Sequence, residues 1–175
     1  MTQNPDIQAR KPNVDQVSKL IEDAPIGGYI GADGARIMAE RACNELVLAK
    51  NDFLFRGGEK TTSFYLVTSG SLARIKDGKK GRRPRILHTL HKGDLVGELS
   101  FIDETDHVRS VIALEDSTVL QFRKEDIDPL ITEHPRLMFN FMRAVIKRVH
   151  HTVNDISKQQ MALSDYIGSG GKGRM

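Results

Sequence analysis

Cysteine and long apolar segments are almost absent from this sequence of 175 residues. Its only cysteine, Cys43, cannot form an internal disulfide, and no cysteine cluster exists to hold zinc or an iron–sulfur centre. No apolar run approaches the roughly 20 residues that a membrane-spanning helix needs. The first 16 residues are polar and lack the apolar stretch of a signal peptide. We therefore expect a cytoplasmic protein without a membrane span.

The sequence also lacks the motifs of the common hydrolases and metalloenzymes. Neither Gly-x-Ser-x-Gly nor His-Glu-x-x-His occurs, and no histidine pair on a predicted helix has the spacing of a zinc site. The net charge of +3 is too small to indicate nucleic-acid binding by itself. The one dense basic run, residues 76–85, contains glycine and proline and predicts a long hairpin loop. These features predict a protein that is not an enzyme and binds no metal.

Short apolar segments dominate the middle of the chain and are separated by turn signals. We predict strands at 46–48, 53–55, 63–67, 72–75, 86–90, 108–114 and 118–122. No helical stretch lies between them, which excludes an alternating α/β fold. The pattern predicts an α+β, mainly β fold: an eight-stranded jelly roll, or double-stranded β-helix barrel, with short N-terminal helices and a long C-terminal helix.

Helical patterns flank these strands on both sides. A short helix is predicted over Val14–Asp23, a loop over 24–34, and a helix from an N-cap at Asp33 to about Cys43. A short helix over 125–132 precedes a long one from Pro135 to about Leu163. We expect four segments: a flexible extension with a short helix (1–24), the barrel with its flanking helices (25–134), the long helix (135–165) and a disordered tail (166–175).

The long helix has a seam of residues at alternating spacings of four and three. The seam comprises Met138, Met142, Val145, Val149, Thr152, Ile156, Gln159 and Leu163. Such heptads form coiled coils and predict a homodimer. A neighbouring stripe is predicted to pack on the barrel; it comprises Leu137, Phe141, Ala144 and Val153.

The segment from His91 to Leu114 has the composition of a ligand site. Gly97 permits a tight turn and lets a ligand approach the main chain. Glu98 offers a carboxylate that accepts hydrogen bonds from hydroxyls, and residues 99–102 could form a helical turn whose N–H groups face an anion. Arg109 carries a guanidinium suited to bidentate phosphate binding, and Ser110 adds a hydroxyl. The set suits a small ligand with hydroxyl and phosphate groups.

The same segment resembles the phosphate-binding cassette of the cyclic nucleotide-binding domain family, which reads Gly-Glu-Leu/Ile-Ala/Ser, a variable loop, then Arg-Ser/Thr/Ala. The resemblance extends over about residues 35–163. It implies that Glu98 binds the ribose 2′-hydroxyl of cyclic AMP or cyclic GMP, and that Arg109 and backbone amides bind the cyclic phosphate. The implied ligand-binding residues of the cassette are Gly97, Glu98, Leu99, Ser100, Arg109 and Ser110.

The Arg-Ser pair and the long helix resemble the catabolite-activator branch of the family most closely. In that branch a helix threonine 17 residues after a proline contacts adenine, which implies the same role for Thr152 after Pro135. The sequence departs from the pattern where Val153 replaces a serine and Val108 replaces a common proline. The loop before Arg109 is acidic, and we expect its acids, Asp103, Glu104 and Asp106, to face solvent.

These observations predict a stand-alone regulatory module that relays ligand binding through its C-terminal helix to an unidentified effector protein. The chain ends 12 residues after Leu163, so we expect no winged helix-turn-helix domain and no DNA reading by that motif. Three alternatives stay open: a degenerate adaptor that binds no ligand, a sensor of another nucleotide such as a cyclic dinucleotide, and a weak nucleic-acid binder that uses the basic loop. The histidines show no clear haem-ligand pattern.

Overall fold

The computed structural model describes residues 8–78 and 84–168, except for the side chains of Asp155 and Gln159 within the last helix. The middle of the predicted basic loop and most of the glycine-rich tail therefore lie outside the described residues. No helix in the described ranges is long and apolar enough to cross a membrane.

Two helices precede the main run of strands. Helix α1 (Val14–Asp23) matches the prediction, and the Asn13 side chain caps it by accepting a hydrogen bond from the Gln16 N–H at 3.1 Å. Helix α2 (Gly27–Glu40) was expected to begin only at Asp33, which is wrong, although its backbone is non-helical at Gly31. The early start has a tertiary reason: a Cβ at Gly27 would lie 2.1 Å from the Glu22 carbonyl oxygen, so only glycine lets α2 begin against the end of α1.

Nine strands in the described residues form two antiparallel sheets. They are β1 (Gln8–Arg10), β2 (Asn44–Leu48), β3 (Phe53–Phe55), β4 (Ser63–Ser69), β5 (Ser71–Lys76), β6 (Arg85–His91), β7 (Leu95–Val96), β8 (Ser110–Ala113) and β9 (Ser117–Arg123). One sheet has the order β1-β2-β9-β4-β7 and the other β3-β8-β5-β6. The prediction of a mainly β jelly roll is confirmed, whereas β1 and the two-residue β7 were not predicted.

Strand β4 lies at the centre of the core and is covered on both faces. Tyr65 and Val67 point into the apolar cluster between the two sheets, while Phe64 and Leu66 belong to the cluster beneath the helices. Because side chains alternate along a strand, a strand buried on both faces appears as an unbroken apolar run. This explains why the sequence of β4 shows no polar alternation.

Four more helices lie in the described residues that follow β7. Helix α3 (Glu98–Asp103) follows β7, and α4 (Lys124–Ile127) and α5 (Leu130–Glu133) replace the single helix predicted over 125–132. Helix α6 (Pro135–Gly168) begins at the predicted proline and runs beyond Leu163.

The faces of α6 differ from the prediction, most clearly at Val145 and Val153, and Met138 and Met142 of the predicted seam are also partly buried against the core. Phe141 is fully buried beside Phe64, at a ring distance of 5.3 Å, as expected for the barrel-facing stripe. Val145, predicted to face a second subunit, is only 2% exposed and packs on the core of its own chain. Val153, predicted to pack on the barrel, is 54% exposed. Val145 follows Phe141 by four residues and therefore shares its face of the helix.

Candidate functional site

Residues 97–110, here called the cassette, run from the end of β7 to the first residue of β8. Gly97 precedes α3 with φ of 78°, a left-handed conformation that disfavours other residues. A Cβ at this position would lie 3.2 Å from His107 Cε1 and 3.4 Å from Phe55 Cε1. The backbone conformation and the close rings both require glycine here, and they hold the cassette in a tight turn.

Glu98 is the first residue of α3 and is only 4% exposed. In the described part of the chain, its carboxylate forms no hydrogen bond or ion pair with another side chain. No fully buried side-chain oxygen in the described ranges lacks a hydrogen-bond partner. The unpaired carboxylate oxygens of Glu98 are therefore not fully buried and can be reached by a ligand. A nearly buried carboxylate without a partner carries unused acceptor capacity, which hydroxyl groups of a ligand would satisfy.

Arg109 lies at the other end of the cassette and is exposed. It comes directly before β8 rather than within that strand, and its Nη1 donates weakly to the Val108 carbonyl oxygen at 3.4 Å. No ion pair joins it to Glu98 or to another described residue. Most donors of the guanidinium are therefore available for an anion.

The remaining predicted residues differ in their surroundings. Leu99 is exposed and Ser100 is half-buried in the first turn of α3, where the leading N–H groups of a helix have no intrahelical acceptor. Ser110 is buried, donates its hydroxyl proton to Asp77 Oδ2 at 2.8 Å, and accepts the Gly57 N–H at 3.0 Å. The serine hydroxyl is thus already engaged on both sides.

His107 is a buried cassette residue that the sequence reasoning missed. Its ring stacks on Phe55 at a centroid distance of 3.6 Å, and Nε2 lies 2.8 Å from Thr61 Oγ1. Its backbone exchanges hydrogen bonds with Gly58 and Glu59. Burial lowers the pKa of His107, against the opposing effect of the Glu59 and Asp106 carboxylates. His107 therefore fixes the variable loop of the cassette as a neutral aromatic ring.

The acidic residues of that loop face solvent, as predicted. Asp103 accepts hydrogen bonds from the Thr105 hydroxyl and N–H, which lower the pKa of this carboxyl. Glu104 pairs with Lys124 at 3.1 Å, and Asp106 is exposed. None of these carboxylates points into the cassette, so they add little repulsion against a bound anion.

Thr152 forms no described hydrogen bond with the cassette within the single chain. It lies on the exposed part of α6, and its hydroxyl donates to the Arg148 carbonyl oxygen at 3.1 Å. No group of three or more His, Cys, Asp or Glu side chains in the described ranges is arranged to hold a metal ion.

Comparisons with known proteins agree with this geometry. A family model described as "Cyclic nucleotide-binding domain" matches residues 45–134. The chain is 29% identical over 107 residues to the lysophospholipase NTE1 of Phaeosphaeria nodorum, covering 61% of this chain and 7% of that protein. It is 32% identical over 96 residues to the cyclic AMP receptor protein of Thermus thermophilus, covering 55% of this chain and 44% of that protein.

Solved structures share the fold. A cyclic nucleotide-binding domain from Methylobacillus flagellatus superposes with a TM-score of 0.72 at 15% identity, covering 90% of this chain and 92% of that one. At this identity the match shows the fold alone.

Proposed function

This chain belongs to the cyclic nucleotide-binding domain family, and we propose that it is a regulatory module that binds cyclic AMP or cyclic GMP in the cassette. In this proposal the Glu98 carboxylate accepts the ribose 2′-hydroxyl, and the Arg109 guanidinium and the first N–H groups of α3 bind the cyclic phosphate. Leu99 and Ser100 contribute mainly those backbone groups.

The observation that carries the proposal is the state of Glu98. A carboxylate that is 4% exposed and has no side-chain partner in the described ranges is costly to keep, unless a ligand uses its acceptors. An apolar or amide residue would fill the same place at lower cost. The free donors of Arg109 supply the complementary charge for a phosphate.

The overlap with known proteins supports binding and not catalysis. The chain spans less than a tenth of the length of the lysophospholipases that it matches, so the similarity concerns the domain and not the hydrolase activity. The cyclic AMP receptor protein of Thermus thermophilus is named for cyclic AMP, which makes that nucleotide the first ligand to test. We propose that this chain is itself not an enzyme and acts in the cytoplasm.

Titration calorimetry with cyclic AMP and cyclic GMP tests the proposal. We expect saturable binding that weakens by about tenfold to a hundredfold in Arg109→Ala, because a hydrogen bond to a charged group contributes about 1.5–3 kcal/mol. Glu98→Gln should also weaken binding, since it loses the charged acceptor. Asp106→Asn, an exposed acid of the same loop, is the matched control. Absence of heat and of thermal shift with both nucleotides would instead favour an adaptor or another ligand.

We further propose that the chain forms a homodimer through α6. Apolar residues along this helix form a stripe in heptad register, here called the exposed stripe: Phe139, Met142, Ile146, Val149, Val153, Ile156, Leu163 and Ile167. They are three or four residues apart except between Ile156 and Leu163, where Gln160 takes the intervening position. Met142 and Val149 are half-buried, and the other members are exposed. The exposed stripe keeps Met142, Val149, Ile156 and Leu163 of the predicted seam. Phe139, Ile146 and Val153 take the places of Met138, Val145 and Thr152. The exposed stripe has the heptad spacing of a parallel coiled coil.

A chain of aromatic contacts supports a relay from the cassette to this helix. Phe101 of α3 packs edge-to-face on Phe64 at 5.0 Å, and Phe64 contacts Phe141 of α6 at 5.3 Å. A ligand that moves α3 would therefore act on α6 through one buried ring. In the proposal the effector protein reads the position of α6, and Thr152 beside the exposed stripe approaches the base bound by the partner subunit.

A further inference from the structure

A cavity of about 390 Å³ lies between the link from α1 to α2, the turn from β6 to β7, and α6. No residue of the cassette lines it, so it is distinct from the proposed nucleotide site. Its volume falls within the range of small-molecule sites, about 300–1,000 Å³. This cavity is called the helix groove below.

One side of the helix groove is apolar. Its lining includes three residues that are buried in the core, Ile26, Leu95 and Ala144, and the half-buried ring of Tyr29. The turn lies close to the helices: a Cβ on Gly93 would approach Pro25 Cδ to 3.3 Å. This wall suits the apolar body of a ligand.

The other side of the groove carries three basic side chains from one stretch of α6: Lys147, Arg148 and His151. Among the described lining residues the one acid is Asp94, whose Oδ1 forms a long ion pair with Arg148 Nη2 at 3.8 Å, while its Oδ2 accepts the His91 N–H at 2.8 Å. Lys147 has no ion pair within the described part of the chain. The groove therefore offers an excess of positive charge beside an apolar wall.

We propose that the helix groove binds a small amphipathic organic anion, with its carboxylate or phosphate head on Lys147 and Arg148 and its apolar body against Tyr29 and Leu95. Such a ligand would join α6 to the turn from β6 to β7 and to α2. It would hold the helix in its present position on the barrel, and so bias the same element that the relay uses.

Amide chemical shifts test this proposal with octanoate and phenyl phosphate as probes and with octanamide as the neutral match of octanoate. We expect saturable shifts at Gly93, Asp94 and Ala144 with both anions, and at least about tenfold weaker binding of octanamide. Lys147→Gln should weaken octanoate binding, whereas Arg136→Gln, an exposed cation elsewhere on α6, should leave it unchanged. The same shifts should occur in Arg109→Ala, which would show that the groove binds the probes independently of the cassette.

Two results would overturn the groove proposal. The first is no saturable shift at these amides with either anion at millimolar concentration. The second is equal binding of octanoate and octanamide together with no effect of Lys147→Gln, which would indicate nonspecific apolar contact.

The hydrogen bond between Ser110 and Asp77 supports a second inference, which rests on the proposed nucleotide binding. A serine hydroxyl has one proton to donate, and the Ser110 hydroxyl gives it to Asp77 Oδ2 at 2.8 Å. A phosphate oxygen that needs this donor has to displace the carboxylate. The Asp77 carboxylate and the cyclic phosphate also repel each other, since both would lie beside Ser110.

We infer that Asp77 competes with the cyclic phosphate for Ser110 and lowers the affinity of the cassette. Asp77 is exposed, so its carboxylate can turn into water when a ligand enters. The competition then reduces affinity without blocking the site.

Calorimetry on Asp77 variants tests this inference. Asp77→Ala should bind the nucleotide several-fold and up to about tenfold more tightly than the wild type, and Asp77→Asn should lie between them. In a Ser110→Ala background, Asp77→Ala should have much less effect, because the shared donor is gone. Asp106→Asn is the control for a change in the general field and should change affinity less than about twofold.

The outcomes distinguish the role of Asp77 from nucleotide binding itself. Binding to the wild type with no gain in Asp77→Ala, or an equal gain in Asp106→Asn, would overturn the role of Asp77 and leave the nucleotide site intact. Failure of every variant to bind would overturn the nucleotide proposal as well.

Discussion

Replacement of Ile146 by alanine is expected to weaken the α6 dimer, because Ile146 lies in the exposed stripe and is 62% exposed in the single chain. Full burial of such a side chain contributes about 1.5–3 kcal/mol. Covering the exposed fraction in a dimer would therefore contribute roughly 1–2 kcal/mol per chain, most of which alanine loses. With two copies in each dimer, a loss of ~2 kcal/mol raises the dissociation constant by about 30-fold.

Sedimentation equilibrium over a range of concentrations measures this constant. Asn154→Ala, also exposed on α6 but outside the stripe, is the matched control and should leave it unchanged. Thr152→Ala separates the two seams, because Thr152 belongs to the predicted seam and only borders the exposed stripe. An effect of Thr152→Ala without one of Ile146→Ala would refute the placement of the seam. A protein that stays monomeric at all concentrations would refute the dimer itself.

Three further expectations concern the core and the cassette. Gly97→Ala should cost about 1–2 kcal/mol of stability in urea unfolding because of the left-handed φ, whereas Gly28→Ala, with open space around it, should not destabilise. Phe141→Ala should cost about 3–5 kcal/mol, unlike Phe139→Ala, which removes an exposed ring. Because the pKa of His107 is lowered in the folded state, the unfolded chain binds more protons than the folded one. The contribution of His107 to folding stability is therefore complete above pH 6.5, its ordinary pKa, and is lost as pH falls toward the folded pKa. A His107→Gln variant should show a smaller loss of stability over that range, and an unchanged pH profile would contradict this account.

The sequence was sufficient for the class of fold and for the position of the cassette. Short apolar segments without helices between them predicted the mainly β architecture, because a half-buried or fully buried strand needs a specific local pattern. Residues 97–110 were recognisable because Gly97-Glu98-Leu99-Ser100 and Arg109-Ser110 resemble the two halves of the family's cassette motif. The limits of α1 were also local, since an Asn13 cap precedes an amphipathic stretch.

Other features depend on contacts between distant residues. Strand β1 has three exposed residues, and only its pairing with β2 makes it a strand. Nothing in the sequence around His107 or Asp77 indicated a role for either residue, because each is one residue within a charged segment. Their roles come from Phe55 and Thr61 on one side and from Ser110 on the other.

The long helix α6 shows most clearly which features follow from local sequence and which depend on tertiary packing. Its sequence determined that α6 would be helical, apolar on more than one face and long enough to extend past the barrel. The tertiary structure decided which apolar face is covered, because Phe141 enters the core beside Phe64 and brings Val145 with it. With 3.6 residues per turn, a rotation of the helix by one residue exchanges a buried position for an exposed one. Only packing against the barrel fixes that rotation.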